Sequence, residues 1–316
     1  MAKNFKPLDL TRIKTYSLST RTSKVSTADF AKTHRKGASF KDFLYGLPDI
    51  LAGSDLRSVI SAITAAAEDK KAIILGMGAH VIKVGLSPVV IDLMERGIVT
   101  CVAMNGAGII HDVELAMVGH TSEDVASAID NGSFGMAEDT AVFLGKALAD
   151  PAVDSEGLGL AVGHAIQQRK LPFSAQSILA AGFRLGIPVT VHVAIGTDII
   201  HMHPGFDAAR TGKATHRDFR LFSAVVAAIE NGVYINMGSA VILPEIFLKA
   251  VALARNLGHA LDHFTTVNLD FVSHYRPLTN VINRPTARGG RGINLVGHHE
   301  IMLPLIAAGV IEQLAE

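Results

Sequence analysis

Residues 71–114 constrain this chain more than any other stretch. Residues 72–75 form an apolar run that stops at Gly76-Met77-Gly78, and residues 98–104 form a second that stops at Asn105-Gly106-Ala107-Gly108. Apolar runs without alternation suit strands covered on both faces, as in a parallel sheet. Between them Ser87 is placed to cap a helix opening at Pro88, with Val89, Val90, Leu93 and Met94 on one face and Gly97 as its stop. Strand, helix, strand is a βαβ unit, the building block of a parallel α/β sheet. Ligands of such sheets bind beyond the carboxyl ends of the strands, where glycine lets backbone N–H groups approach a phosphate. Gly76, Gly78, Gly106 and Gly108 are therefore candidate ligand contacts. One Gly-x-Gly also serves a tight turn, but two such clusters on successive strands strengthen the reading.

The alternation continues along the chain. Helices are expected over 40–51, 55–68, 111–118, 122–130, 136–149, 174–185, 216–230, 244–257 and from 299 onward, with further strands over 187–195, 233–237 and 260–269. This pattern predicts a doubly wound, mostly parallel Rossmann-like α/β sheet. Residues 150–157 read as a loop within one fold. The expected organisation is a polar, basic arm over 1–40, which wraps over a neighbour or frays, and a single domain over 41–316. Hydrophobic residues make up 49% of the chain, enough for a large core with apolar surface left over for subunit contacts, so a homo-oligomer is expected.

Lysine plus arginine and aspartate plus glutamate are equal at 29 each, so no global basic field draws nucleic acid or an anionic membrane. The lone Cys101 rules out an intrachain disulfide and a cysteine-built zinc site, and fits a reducing compartment. With no signal-peptide core in the first residues and no window long enough to span a bilayer, the expectation is a cytoplasmic protein acting on a small molecule.

Half of the 14 histidines, His80, His111, His192, His201, His203, His298 and His299, fall near expected strand ends. His111, His201 and His203 are the candidates for proton transfer, with His111-Asp112-x-Glu114 a possible acid–base pair. His201-x-His203 behind Asp198 could also ligate a zinc-type metal, but isolated strand-end histidines more often bond a carbonyl, and no metal is the preferred reading. His259 and His263, on an expected strand, lie roughly 13 Å apart and cannot share one ion. Arg276, Arg284, Arg288 and Arg291, set among glycines, read as a solvated loop or as a mobile loop closing over a carboxylate or phosphate, with Arg288 and Arg291 as substrate contacts.

The order of these motifs resembles deoxyhypusine synthase over roughly residues 40–312. The likeness is carried by ILGMGAHVIKVGLSPVVIDLMERGIVTCVAMNGAGIIHDVE, GIPVTVHVAIGTDIIHMH, GVYINMGSAVI and GHHEIMLPLIAAG. The resemblance implies an NAD-binding fold shared distantly with sirtuins, NAD as cofactor and usually a tetramer. It places cofactor contacts at Gly78, Ala79, Asn105, Gly106, Ala107, Gly108, Thr266, Val267, His298 and His299. The departures matter as much. The family's imine-forming lysine has no counterpart in RPTARGGRGIN, and a guanidinium, always charged, cannot replace it. Of the family's polyamine-holding carboxylates only Asp198 remains, while histidine stands where the family keeps acids. The expectation is a deoxyhypusine synthase-like NAD-binding enzyme acting on a different substrate, anionic or neutral. A non-catalytic NAD or nucleotide sensor and a metal-dependent hydrolase or lyase are the alternatives.

Overall fold

The structure is a computed structural model that describes residues 4–150 and 153–314. Six strands, β1 (Ile73–Met77), β2 (Cys101–Asn105), β3 (Val189–His192), β4 (Val233–Met237), β5 (Thr265–Asp270) and β6 (Arg291–Val296), form one all-parallel sheet ordered β3-β2-β1-β4-β5-β6. The chain winds outward from β1 to β3, then returns to the other side of β1 with β4. The order therefore reverses between β1 and β4, which is where open α/β sheets leave a crevice.

Helices cover both faces. Before β1 come α1 (Phe40–Gly46) and α2 (Leu51–Glu68), and α3 (His80–Lys83) and α4 (Ser87–Glu95) lead to β2. Between β2 and β3 lie α5 (Gly106–Val118), α6 (Val125–Ala128), α7 (Glu138–Ala149), α8 (Val153–Glu156), α9 (Leu158–Gln168) and α10 (Ile178–Leu185). Next are α11 (Ala208–Ala227), α12 (Ile242–Asn256), α13 (Tyr275–Pro277) and, after β6, α14 (His299–Gln313). Successive strand residues face opposite sides. Ile73, Leu75 and Met77 pack with α2, α4, α5, α9, α10 and α14, whereas Ile74, Cys101, Ala103 and Tyr234 pack with Phe222 of α11 and Phe247 of α12. Tyr234 and Phe247 stack with ring centroids 3.7 Å apart.

Buried polar side chains tie the layers together. The exposed edge of β3 is answered from α11: Val191 N–H donates to Asp218 at 2.7 Å, Val193 N–H to Thr215 at 3.0 Å, and the Thr215 hydroxyl returns to Val191 O at 2.8 Å. An edge strand satisfied by side chains offers no template for pairing. Asp218 also accepts Gly159 N–H at 3.0 Å, which binds the start of α9. Asp112 of α5 plays the same part for α10, accepting from Ser177 Oγ, Ile178 N and Leu179 N. Asn236, Asn268 and Asn294 stand in register and form a side-chain ladder of 2.8 Å bonds across β4, β5 and β6.

Three expectations are corrected. The arginine-rich segment is a loop only in part: residues 284–289 are turns, whereas Arg291–Val296 form β6, and Arg291 pairs in register with Thr265 at the amino end of β5. Arg291 donates to Ser58 of α2 at 2.8 Å. Arg288 and Arg291 thus lie toward the edge of the sheet opposite the strand carboxyl ends and are not contacts for a ligand there. α5 opens at Gly106 rather than His111, because the Asn105 side chain caps it by accepting Gly108 N–H at 3.1 Å. Within 150–157 residues Val153–Glu156 form α8, while residues 151–152 lie outside the described residues. Among the described residues no helix is long and apolar enough to cross a membrane.

Candidate functional site

β1 and β2 are neighbours, with Met77 opposite Met104, so the turns at Gly78 and Gly106 lie side by side on the carboxyl edge of the sheet. The room that these glycines leave is used by the chain itself. A Cβ on Gly78 would overlap the Gly238 carbonyl, one on Gly106 the Asp198 carboxyl group, one on Gly76 the Tyr234 hydroxyl, and one on Gly108 would crowd Met104. Gly78 N–H donates to Met237 O at 2.9 Å, which draws the ends of β1 and β4 together. Their smallness serves close backbone packing.

The open space lies one step outward, beside α5. A cleft of about 600 Å³ is walled by Ala107, Ile110, His111 and Glu114 of α5, by Lys83, by Thr121, Glu123, Asp139 and Thr140, and by Thr197 and Asp198. Residues three apart on a helix share a face, which brings His111 and Glu114 to the cleft together. Thr121, arriving from the loop after α5, joins them: its hydroxyl donates to Glu114 Oε2 and stands 2.7 Å from His111 Nδ1. Thr140 donates to the other Glu114 oxygen at 3.2 Å. Because the Thr121 proton is spent on the carboxylate, its oxygen must accept, and Nδ1 of His111 must carry a hydrogen. The neutral ring is then the Nδ1–H tautomer, with a bare lone pair on Nε2. Burial holds the His111 pKa below the usual imidazole value; Glu114 opposes this and Lys83 reinforces it. His111 is therefore a neutral, oriented base at neutral pH.

Asp198 and His201 form a second, tighter pair. His201 Nδ1 accepts the N–H groups of Gly196 at 3.0 Å and Asp198 at 3.1 Å, which leaves the proton of the neutral ring on Nε2. That nitrogen and Asp198 Oδ2 are 3.8 Å apart, and both are buried without a hydrogen-bond partner. Burial raises the Asp198 pKa against the pull of His201 and Thr197. The cleft thus has two orphaned polar atoms behind its wall, and unpaired buried polar groups are costly unless something completes them.

The remaining candidates are scattered. His203 donates from Nε2 to Gly135 O at 2.9 Å and faces a separate hollow of about 640 Å³ with Pro204 and Arg210. It does not join His201. Nδ1 of His201 and Nε2 of His203 are both bonded to backbone, and among the described residues no group of three or more His, Cys, Asp or Glu side chains could hold a metal ion. Thr266 and Val267 are fully buried in the middle of β5, below its carboxyl end at Asp270, and are not cofactor contacts. His299 is also fully buried: Nε2 faces Leu269 O at 3.3 Å and Nδ1 lies 2.9 Å from Nδ1 of His80. His298 remains exposed, its ring stacked on Phe271 at 5.9 Å and 8°. Ala79, Asn105 and Ala107 are partly exposed along the same edge. Thr121 was missed in the sequence because its partners are reached through a loop, whereas Glu114 was signalled by its spacing from His111.

No family model matches the chain, and neither does any curated protein. Solved structures do match. A "putative deoxyhypusine synthase" from Entamoeba histolytica aligns with 90% of this chain and 96% of its own at 12% identity and TM-score 0.53. The chain has the deoxyhypusine synthase-like fold. A "conserved putative LOR/SDH protein" from Methanococcus maripaludis S2 aligns over 84% of this chain and 71% of its own, at 14% identity and TM-score 0.53. AgrE in ternary complex with ornithine and NAD+ aligns over 81% of this chain at 12% identity and TM-score 0.53. The cyanobacterial arginine dihydrolase ArgZ does so over 81% at 13% identity and TM-score 0.52. The chain spans about a third of the length of AgrE and ArgZ, at 32% of each. The relationship is distant.

Proposed function

We propose that this protein is an enzyme that oxidises or transfers a group on a small cationic molecule held in the cleft beside α5, with His111 as its general base and NAD as its cofactor. The observation that carries the reading is the Glu114–Thr121–His111 relay, which leaves an unprotonated Nε2 in the open space. A base so held needs no reorientation before it takes a proton. The cleft wall presents the carboxyl groups of Glu114, Glu123, Asp139 and Asp198 against the single ammonium of Lys83. That balance favours an amine or guanidinium and reverses the anionic or neutral expectation drawn from the histidines.

The residues suit a dinucleotide on part of the edge only. At the first turn of α5, Asp198 already occupies the side of Gly106 that a phosphate would need, so the glycine cluster at Asn105–Gly108 is a poor pyrophosphate cradle. The exposed Phe271–His298 stack offers a flat apolar surface to a ring, and Ala79, Asn105 and Ala107 are partly exposed along the same carboxyl edge. These residues would hold the cofactor, which when bound supplies hydride acceptance. His111 would take the proton from the substrate's N–H or O–H. Glu123 and Asp139 on the cleft wall would hold the cationic end. The matching AgrE complex contains NAD+ and ornithine, a pairing of the same chemistry.

Thermal unfolding with added NAD+ and, separately, with small diamines and basic amino acids tests this. NAD+ at about 100 times its Kd should stabilise the protein by about 2.7 kcal/mol, and Phe271→Ala should abolish that shift while leaving the shift from an amine. Absence of any shift with NAD+ would remove the cofactor, and stabilisation by carboxylic acids instead of amines would overturn the substrate class.

A further inference from the structure

Four aromatic rings meet on the carboxyl edge of the sheet, outside the cleft beside α5. His80 opens α3, Phe271 follows β5, and His298 and His299 stand at the start of α14. The His80 ring lies 5.1 Å from that of His299 and 5.6 Å from that of Phe271, and Phe271 stacks on His298. The base proposed at His111 leaves this cluster unused.

The hydrogens of the cluster follow from bond counting. His299 is fully buried and wedged against Gly238, where a Cβ would come within 2.6 Å of its Cε1 atom. Its Nε2 faces the Leu269 carbonyl at 3.3 Å. A carbonyl can only accept, so Nε2 carries the hydrogen and Nδ1 of the neutral ring is bare. Burial keeps this ring neutral by holding its pKa below the usual imidazole value; His80 reinforces this, while Asp270, the Leu269 carbonyl and Glu300 oppose it. The bare Nδ1 lies 2.9 Å from Nδ1 of His80. Two lone pairs cannot share that distance, so His80 donates from Nδ1 and keeps its own lone pair on Nε2. His80 is only half-buried, and among the described residues its Nε2 has no hydrogen-bond partner and is not a buried atom.

An acceptor fixed in this way beside an exposed ring platform selects what can lie on the platform. We propose that His80, positioned by His299, is the specificity-determining residue of a ring-binding site on the Phe271–His298 stack, and that this site takes a heteroaromatic ring bearing an N–H or O–H donor. A carboxamide on the ring offers such a donor to Nε2. A carboxylate in its place offers only oxygens, so that lone pair meets lone pair. The platform is the one proposed above for the cofactor, and the role of His80 rests on that reading; what is added is the feature of the ring that the protein reads.

Nitrogen NMR of the free protein at about pH 8.5, where imidazole is neutral, should show Nδ1–H on His80 and Nε2–H on His299. An Nε2–H tautomer on His80 would overturn the proposal before any ligand is added. Calorimetric titration at the same pH then compares NAD+ with nicotinic acid adenine dinucleotide, which carries a carboxylate where NAD+ has its carboxamide. Wild type should bind NAD+ about tenfold more tightly, the worth of one good hydrogen bond. His80→Phe should bring the ratio close to one, whereas His299→Asn, which keeps an acceptor near the Nδ1 position, should retain it. A preference that survives in His80→Phe would come from the carboxylates of Asp270 and Glu300 and would overturn the role of His80. Equal affinity of wild type for the two dinucleotides would also overturn that role, and would leave the cofactor reading standing. Failure of both to bind would remove the cofactor reading and the ring site with it. Should a variant misfold, the wild-type tautomer and the wild-type affinity ratio decide by themselves.

Discussion

At the scale of single residues, the proposed function turns on which atom of His111 carries its proton. The Thr121 hydroxyl cannot donate to both neighbours, and Glu114 claims it, so the tautomer follows from bond counting. A rate that needs neutral His111 should rise with pH through a pKa below 6.5 and stay flat above it, because burial disfavours the imidazolium. His111→Ala should lower turnover of an amine substrate by about 10² to 10⁴, the usual worth of a positioned base. Thr121→Val keeps the ring but frees its tautomer, and should cost about tenfold, or about 1.4 kcal/mol. Nitrogen NMR of His111 gives the check without a substrate: Nδ1–H in wild type, with that preference lost in Thr121→Val. An Nε2–H tautomer in wild type would end the case for this base. The sequence displayed His111 and Glu114 on one helical face, but it could not display Thr121, which reaches them only because the chain turns back after α5. Nor could it show that His203 is spent on a carbonyl, since a histidine's partners are set by backbone atoms that pattern does not reveal.

At the scale of elements, the strands buried on both faces were legible because continuous apolar runs have one good destination in an α/β sheet. β6 was not, since Arg291, Gly292 and Asn294 break its run, and only Ile293 and Leu295 point into the core; the strand exists because the open edge of β5 pairs with it. The start of α5 was hidden for a similar reason: glycine at Gly106 and Gly108 lowers helix propensity, and the Asn105 cap overrides it. The clamp from α11 onto β3 and α9 makes a pH-dependent prediction. Burial pushes the Asp218 carboxyl up to about 7 from the usual 3.8, with the N–H groups of Val191, Gly159 and Leu158 opposing it. Between those values the folded state keeps a proton that the unfolded state releases. The stability this group contributes is therefore fully present below about pH 4 and is lost as pH rises through 7. Asp218→Asn has no such titration. The stability advantage of wild type over this variant should shrink from pH 4 to pH 7, by at most about 1.4 kcal/mol per pH unit, as read from urea unfolding across that range. A difference that stays constant would show that Asp218 is ionised throughout.

For the whole molecule, the fold draws on the chain beyond the amino-terminal arm. Among the described residues every core residue lies beyond residue 43, the sheet forms without the arm, and the arm adds no buried side chain before α1. The sequence showed a polar, basic segment at 1–40, but a pattern of charges alone does not say whether such a segment packs on the body; the exposure of its apolar residues is visible only once the body is folded. This separation has a measurable consequence. Deleting residues 1–27 leaves the Asp29 and Lys32 backbone ties in place and, among the described residues, removes only exposed surface. Changes of that kind usually stay within about 0.5 kcal/mol. In high salt, where surface charge pairs are screened, the truncated and full-length chains should unfold at the same urea midpoint with the same slope. A truncated chain that is already less stable in high salt would mean that the arm is part of the fold after all.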